Sequence, residues 1–221
     1  MPPRAINPED KSLKRESILD AAQHLWVAHP EHVSSMDALA RASHVAKGTL
    51  YLYFGSKEEV LLALHERDVK HFFEQLVLRA KQPEPMTLEE MADIVIASIR
   101  HSPTFLPLAS LCLGTMERQI PDQAVIEFKS RISEGLDQVV QALRAHFPAM
   151  SCVVMMQGYA LILGLWQLLQ QNSFNRLMAE KQIELACAFY MDEDEFLTLL
   201  SHSLVTLFQG LLAKTSQDQA L

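Results

Sequence analysis

The chain has 221 residues, 49% of them hydrophobic and 21% charged, which is typical of a soluble globular protein. Only seven glycines and few runs of β-branched residues favour helices over sheets. The 27 acidic residues exceed the 19 basic ones, which argues against a protein that binds nucleic acid through bulk positive charge.

The charge is distributed unevenly along the chain. Residues 1–57 carry seven Lys/Arg and six Asp/Glu, a net charge of +1, whereas residues 58–221 carry 12 and 21, a net charge of −9. This asymmetry favours an N-terminal binding domain, called the head below, followed by an acidic C-terminal domain, called the body. Because +1 is weak, any affinity of the head for a polyanion must come from placed contacts, with a measurable salt dependence.

The cysteines and the N-terminus bear on the cellular compartment. Cys112, Cys152 and Cys187 are far apart and belong to no metal-binding or redox-pair motif. We therefore expect reduced thiols in a cytoplasmic protein, with redox sensing as the alternative. Residues 1–17 are polar and charged, unlike a signal peptide, and residues 1–11 are predicted to be a flexible arm.

Two short helices and a tight turn are predicted between residues 35 and 54. Ser34 and Ser35 precede the first helix, and Asp37 follows Ser34 by three residues, the serine-to-acid spacing of a helix start. An earlier helix, over about residues 13–28, supports this pair with one apolar face made of Ile18, Ala21, Ala22, Leu25 and Trp26.

The second helix of the pair combines basic, hydroxyl and aromatic side chains. Leu50 and Phe54 are four residues apart and are predicted to face inward, which leaves outside Lys47, Gly48, Thr49, Tyr51 and Tyr53. Lysine and threonine at the start of a helix can reach base edges in a DNA groove, while tyrosine hydroxyls and Lys57 suit backbone phosphates. The alternative is a solvated surface helix without a partner.

Three segments resemble the N-terminal signature of the tetracycline-repressor (TetR) family of transcriptional regulators: residues 15–26, 35–40 and 45–61. The most specific part is the run Lys47-Gly-Thr-Leu-Tyr-x-Tyr-Phe-x-Ser-Lys-Glu58. The resemblance covers about residues 12–72.

The resemblance implies an all-α fold with two domains. The first is a three-helix, helix-turn-helix DNA-binding domain at residues 12–72, with its motif at 35–54, and the second is an effector-binding and dimerisation domain at 73–221. The resemblance also implies two groups of DNA contacts: Lys47, Gly48, Thr49 and Leu52 nearest the bases, and Ser35, Tyr51, Tyr53 and Lys57 at the phosphates.

The turn departs from the family pattern. Where the family usually has Ala-Gly-Val-Ser, this chain has Ser43, His44, Val45 and Ala46. His44 stands where glycine commonly supplies a positive φ angle. Ala46 removes a serine N-cap, a change that typically costs about 1 kcal/mol of helix stability. We therefore expect a less rigid recognition helix at an unchanged place in the chain.

Seven further helices are predicted after the motif. A capping pattern at residues 56–59 opens the fourth helix, which links the two domains, and Pro83 and Pro85 interrupt the chain after it. The later helices follow capping signals or prolines and are predicted over about residues 87–100, 103–116, 121–146, 149–171, 176–188 and 192–213.

Residues 150–169 contain no charged residue, so a transmembrane span is one interpretation. Gln157, Gln167 and the preceding Pro148 argue against a membrane. A helix that is apolar on every side can instead be buried between its own core and a second subunit. We predict a homodimer in which the helices at about 149–171 and 192–213 form a four-helix interface, as the resemblance also implies.

The body is rich in methionine and aromatic residues, which fill irregular space and also line hydrophobic binding sites. Simple core packing is the alternative for each of them. The predicted pocket for a small, largely hydrophobic effector consists of Met91, Phe105, Met116, Phe128, Met155, Met156, Tyr159 and Trp166. Polar anchors are sought among His101, Glu117, Arg118, Gln157 and Tyr159.

The leading hypothesis is a homodimeric regulator that represses from a palindromic DNA operator and is released by its effector, without cofactor, metal or enzymatic activity. A body that binds another protein instead of a small ligand is the first alternative. A helical-bundle metalloenzyme is the second, prompted by Asp68-x-x-His71, but the chain offers no partner motif. The sequence has no Gly-rich phosphate loop and no Gly-x-Ser-x-Gly nucleophile motif.

Overall fold

A computed structural model describes residues 8–29, 35–112, 116–169 and 191–218, and these residues are all helix, turn or irregular chain, without a strand. The all-α prediction is confirmed. The helices are α1 (Pro8–Ala28), α2 (Met36–Ala42), α3 (Lys47–Tyr51), α4 (Lys57–Ala80), α5 (Leu88–His101), α6 (Phe105–Cys112), a 3₁₀ turn (Met116–Gln119), α7 (Asp122–Leu143), α8 (Cys152–Leu169) and α9 (Glu193–Asp218). The helix predicted at 176–188, and Cys187 within it, lie outside the described residues.

The residues pack into two compact units. The first consists of Met1–Val69 with Pro103–Ser130, and the second of Lys70–Ser102 with Arg131–Leu221. The stretch from Pro103 to Ser130 therefore packs with the N-terminal region, although Lys70–Ser102 separates the two along the chain.

In the first unit, α1 packs on α2 and α2 packs on α3. The core includes Ile18, Leu19, Leu50 and Leu64, all fully buried. Outside this core, Arg67 links α4 to α1. Its guanidinium donates hydrogen bonds to Asp20 (2.7 Å), Gln23 (3.0 Å) and Glu16 (3.4 Å).

In the second unit, α9 packs against α5 and α8. The contact with α8 is close: a Cβ added at Gly158 would lie 2.5 Å from Cζ of Phe208. His146 joins two loops of this unit, since its Nδ1 accepts from the Met86 amide (3.2 Å) and its Nε2 lies 2.9 Å from the Ala80 carbonyl oxygen.

Three of the predicted helix starts have the expected caps. Ser56 accepts from the Glu59 amide (3.1 Å), and Thr87 and Glu90 form a reciprocal capping box. The same exchange joins Asp192 and Glu195. The start of α2 differs from the prediction, because Ser35 itself is the N-cap and accepts from the Ala38 amide (3.2 Å), which leaves the Asp37 side chain outside the cap.

Among the described helices, one stretch is long and apolar enough to cross a membrane by length and composition, namely Glu193–Ala213 of α9. Core helices of soluble proteins meet the same criterion. The apolar stretch of α8, Cys152–Leu168, is shorter than that criterion requires.

Candidate nucleic-acid interface and effector site

The turn between α2 and α3 is built around His44. Its φ angle is 54°, and it is the one residue other than glycine with positive φ in the described parts of the chain, as expected where the family has glycine. Histidine is among the residues that tolerate this left-handed conformation better than most. The turn closes through a hydrogen bond from the Val45 amide to the Ala40 carbonyl (3.1 Å) and one from the Ser43 hydroxyl to the Leu39 carbonyl (2.6 Å).

Helix α3 is only five residues long, and Ala46 at its N-cap provides no side-chain hydrogen bond. Helices this short are marginal on their own. Its stability must therefore come from packing, which Leu50 and Phe54 supply at 0% and 4% exposure. The helical hydrogen bonds continue past Tyr51 only as turns, with amides of Tyr53 and Phe54 both bonded to the Leu50 carbonyl.

The structure places the eight predicted DNA-contact residues within one segment of the first unit, residues 35–57. Exposed members are Ser35, Lys47, Gly48, Tyr51 and Leu52, and half-buried ones are Thr49, Tyr53 and Lys57. Leu52 is 74% exposed, the largest fraction among the large apolar residues that the structure describes. Gly48 borders open space, with nothing within 4 Å of a Cβ placed there.

An ion pair that was not predicted from the sequence spans the turn. Nζ of Lys47 lies 2.8 Å from Oδ1 of Asp37, and both side chains are more than half exposed. The hydrogen bond and the charge of each partner lower the pKa of Asp37 and raise the pKa of Lys47. Opposite charges at the first turns of α2 and α3 are visible in the sequence, but only the turn geometry shows that they meet.

The interior of the first unit holds a histidine that was also not among the predicted site residues. His65 on α4 is 3% exposed and lies between Phe105 and Phe128, each ring centroid 6.2 Å from that of the imidazole. Its Nδ1 has no hydrogen-bond partner among the described residues. Burial lowers its pKa to about 4, so the ring is neutral at pH 7. The signal available in the sequence was a histidine directly after the apolar run Val60–Leu64.

One helical turn further along α4 lies a second buried polar residue, Asp68. Thr104 donates a hydrogen bond to Oδ2 of Asp68 (2.7 Å), and both residues are buried. His71, which shares the Asp68-x-x-His71 spacing, instead stacks on His101 with ring centroids 4.9 Å apart. In the described parts of the chain no group of three or more His, Cys, Asp or Glu could hold a metal ion.

The eight predicted pocket residues are distributed over both units. Phe105 and Phe128 belong to the first, and the side chain of Met116 lies outside the described set. In the second unit the members are buried Met91 and Met155, half-buried Tyr159 and Trp166, and exposed Met156.

Trp166 has an unusual environment for a residue of the predicted pocket. Its ring meets that of Phe196 edge-on at 5.8 Å, and its Nε1 is buried without a hydrogen-bond partner among the described residues. A buried donor of this kind is uncommon in native proteins.

Met156 lies on a different face of α8 from the buried residues. Val153, Met156 and Leu168 are 66%, 62% and 61% exposed, and Gly164 between them borders open space. Gly210 on α9 is open in the same way. Among the described residues, the second unit therefore exposes apolar side chains on α8 and one glycine without near neighbours on each of α8 and α9, the two helices predicted to dimerise.

Two family models match the chain. Residues 18–64 match that of the bacterial regulatory proteins of the tetR family, and residues 66–215 match the tetracyclin repressor-like C-terminal domain. A curated relative, the fatty acid metabolism regulator protein of Bacillus subtilis (strain 168), is 33% identical over 89 residues, which span 40% of this chain and 45% of that protein.

Solved structures share the fold at low sequence identity. The fatty acid degradation regulator FadR from Bacillus halodurans has a TM-score of 0.53 at 17% identity, covering 95% of this chain and 97% of its own. A TetR-family regulator from Marinobacter aquaeolei VT8 has 0.53 at 14%, covering 91% and 98%. FadR from Bacillus subtilis, solved in complex with stearoyl-CoA, has 0.50 at 19%, covering 87% and 96%. With both regions of the chain matched, this protein belongs to the TetR family of transcriptional regulators.

Proposed function

We propose that this TetR-family regulator acts as a homodimeric repressor, which binds a palindromic DNA operator through α3 and leaves it when a largely hydrophobic effector binds. The observation that carries the proposal is the α2–α3 surface, defined as the eight residues Ser35, Lys47, Gly48, Thr49, Tyr51, Leu52, Tyr53 and Lys57. We place the protein in the cytoplasm, where a bacterial transcription regulator meets its DNA.

The exposure of the α2–α3 surface supports DNA contact in two ways. Gly48 has no side chain and borders open space, so the DNA can approach the main chain closely there. Lys47 and Tyr51 present an ammonium and a phenol hydroxyl beside it, groups that suit guanine edges and phosphates. The exposed apolar Leu52 suits a thymine methyl group.

Selection from a random pool of DNA duplexes tests sequence-specific binding and identifies the operator sequence in the same experiment. We expect sequencing of the bound fraction to enrich an inverted repeat whose half-sites are about one helical turn apart. A pool that stays random after repeated rounds would contradict the proposal.

The uncovered faces of α8 and α9 support the dimer. Apolar side chains that are 60% exposed or more are rare as a row on a monomer surface and commonly mark a protein interface. Only 28% of the most apolar window of Glu193–Ala213 is buried within the protomer, which leaves surface for a partner to cover. Sedimentation velocity should give twice the mass of one chain at micromolar concentration, and a monomer would contradict this part of the proposal.

For the effector we propose a long-chain acyl-CoA as the first class to test. The support is the similarity to the fatty acid metabolism regulator protein of Bacillus subtilis and to the structure of FadR from Bacillus subtilis solved with stearoyl-CoA. Phe105 and Phe128 offer apolar contact, and Nδ1 of the nearby His65, which has no hydrogen-bond partner among the described residues, offers a hydrogen bond to a polar group. Met91, Met155, Tyr159 and Trp166 belong to the second unit and stay a separate prediction, whereas we assign the exposed Met156 to the dimer face.

Residues 65–68 of α4 provide a connection from this effector site to the DNA-binding helices. His65 and Asp68 contact Phe105, Phe128 and Thr104, while Arg67 of the same turn is bonded to α1. An effector lowers DNA affinity only if it binds more tightly to the conformation that binds DNA less well. A shift of this turn of α4 would change the position of α1 through Arg67.

Fluorescence anisotropy with the selected duplex tests the effector. Stearoyl-CoA at saturation should release the duplex, and free coenzyme A should not. Unchanged affinity would remove acyl-CoA as the effector. Native mass spectrometry then decides between a different retained hydrophobic molecule and a body that binds protein partners instead.

A further inference from the structure

Lys47 and Asp37 form an ion pair on the side of α2 and α3 that the proposed function assigns to DNA. Lys47 is the first residue of α3, Asp37 is in the first turn of α2, and 2.8 Å separate Nζ from Oδ1. The one ammonium group among the proposed base contacts is therefore already bound to a carboxylate when the protein is free.

Asp37 lies in the first turn of α2, where a carboxylate interacts favourably with the helix dipole, but it does not cap the helix. The N-cap of α2 is Ser35, whose Oγ accepts from Ala38, so the Asp37 carboxylate is not needed to start the helix. Apart from Lys47, the nearby charge that acts on Asp37 is that of Arg41 on the same helix. Both members of the pair are more than half exposed, and exposed ion pairs contribute little to folding stability.

The effect of Asp37 on a DNA phosphate is unfavourable in two respects. Its own charge repels the phosphate at separations below the Debye length of about 8 Å. It also neutralises Lys47, one of only seven basic residues in residues 1–57, where the net charge is +1. A protein selected for maximal affinity to any duplex would not keep a carboxylate at this position.

We propose that Asp37 is a specificity-determining residue, which keeps Lys47 bound until a guanine edge replaces its carboxylate. The proposal rests on the assignment of the α2–α3 surface to DNA. On an unrelated sequence the ion pair persists, and the sequence-independent attraction to phosphates is reduced by one cation. At the operator, O6 and N7 of guanine offer Lys47 two acceptors, and the released carboxylate can accept from the amino group of a cytosine. Repulsion of wrong partners is a general route to specificity.

The experiment compares wild type with Asp37→Asn on two duplexes, the sequence most enriched from the random pool and a scrambled version of it. Anisotropy titrations over about 50 to 200 mM salt give the affinity and its salt dependence. For the scrambled duplex we expect the Asp37→Asn dimer to bind about fivefold more tightly, with a log–log salt slope steeper by about 2, since one more phosphate contact forms in each protomer. Affinity for the enriched duplex should rise less, so the ratio between the two falls.

Two further variants make the result specific. Asp93→Asn removes one exposed negative charge on α5, in the second unit, and should change neither affinity. Adding Lys47→Ala to Asp37→Asn should abolish the gain on the scrambled duplex, because the released ammonium group is then missing.

Equal or weaker binding of Asp37→Asn to the scrambled duplex would overturn the inference. If the wild type enriches a sequence but Asp37→Asn binds the scrambled duplex no more tightly, Asp37 only orients Lys47. The proposed function then stands. If wild type enriches no sequence, the proposed function itself fails.

Discussion

The α2–α3 surface and the outer face of α8 are both exposed in the protomer, but their chemistry differs. The α2–α3 surface combines two ammonium groups, four hydroxyl groups, a glycine main chain and one exposed leucine. The outer face of α8, defined by Val153, Met156, Gly164 and Leu168, is apolar, and α8 contains no charged residue. Hydrogen-bonding groups on the one and apolar surface on the other suit unlike partners, a nucleic acid and a second copy of the chain.

The two regions also differ in what stabilises them. Helix α8 is 18 residues long and packs against α9, whereas α3 has five residues and no side-chain cap. Helix α3 therefore depends on two buried side chains, Leu50 and Phe54, whereas substitutions of its exposed residues should leave the fold intact. Substitutions on the two surfaces should accordingly change different measurements.

Charge on the outer face of α8 should have the largest effect. The double variant Val153→Glu/Met156→Glu places two carboxylates in the proposed dimer interface, so we expect monomers by sedimentation velocity. Because a monomer cannot engage two half-sites together, operator affinity should fall roughly 100-fold. The matched control is Ile126→Glu on α7, where an apolar side chain is 58% exposed. A double variant that stays dimeric would place the interface elsewhere.

The next largest effect is on folding stability, and it comes from His65 in the interior of the first unit. The pKa of His65 is lowered to about 4 from an ordinary 6.5. Below pH 6.5 the unfolded chain binds a proton that the folded chain does not, so stability is lost as the pH falls to about 4. At about 1.4 kcal/mol per pKa unit, the loss is roughly 3 kcal/mol.

Urea unfolding at several pH values tests this prediction. His65→Leu removes the titrating group and should flatten the decline between pH 6.5 and 4, while His24→Leu at an exposed site should leave it unchanged. Parallel declines in His65→Leu and wild type would show that His65 is not buried in its neutral form. An effector that contacts His65 should also lose affinity in this variant.

The two glycines of α8 sharpen the contrast between its inner and outer faces. A Cβ at Gly158 would meet Phe208, so Gly158→Ala should cost about 1–3 kcal/mol through overpacking. A Cβ at Gly164 would meet no atom of the described residues, so the higher helix propensity of alanine in Gly164→Ala should raise monomer stability by up to about 1 kcal/mol. If Gly164 lies in the interface, the same substitution should raise the dimer dissociation constant. No change in dimerisation would exclude Gly164 from close helix contact.

The smallest effect concerns the apolar residue on the α2–α3 surface. Leu52→Ala should lower operator affinity about fourfold per protomer, the equivalent of one buried methylene group at about 0.8 kcal/mol. Folding stability should not change, because the side chain is 74% exposed. Leu13→Ala on α1, at 70% exposure, is the control. Equal anisotropy curves for Leu52→Ala and wild type would remove Leu52 from the contact set.

Local signals in the sequence predicted much of the fold. The capping pairs Thr87–Glu90 and Asp192–Glu195 are three residues apart, so their geometry follows from the sequence spacing alone. His44 was expected at a positive φ angle because the family has glycine there, and the structure confirms it.

Features that depend on distant segments could not be predicted. The environment of His65 comes from Phe105 and Phe128, and only the packing of Pro103–Ser130 with the N-terminal region brings them together. The pairing of Lys47 with Asp37 depends on the angle of the turn, which the composition of residues 43–46 does not specify. Both were missed because spacing along the chain carries no information on contacts between elements.

The central claim is that the α2–α3 surface binds the operator, and anisotropy with the selected duplex tests it most directly. Lys47→Ala and Tyr51→Ala should each weaken binding, and the double variant should weaken it further, while Lys81→Ala at an exposed site of the second unit leaves it unchanged. All variants should remain dimers. Wild-type affinity in the Lys47→Ala/Tyr51→Ala variant would contradict the assignment of this surface to DNA.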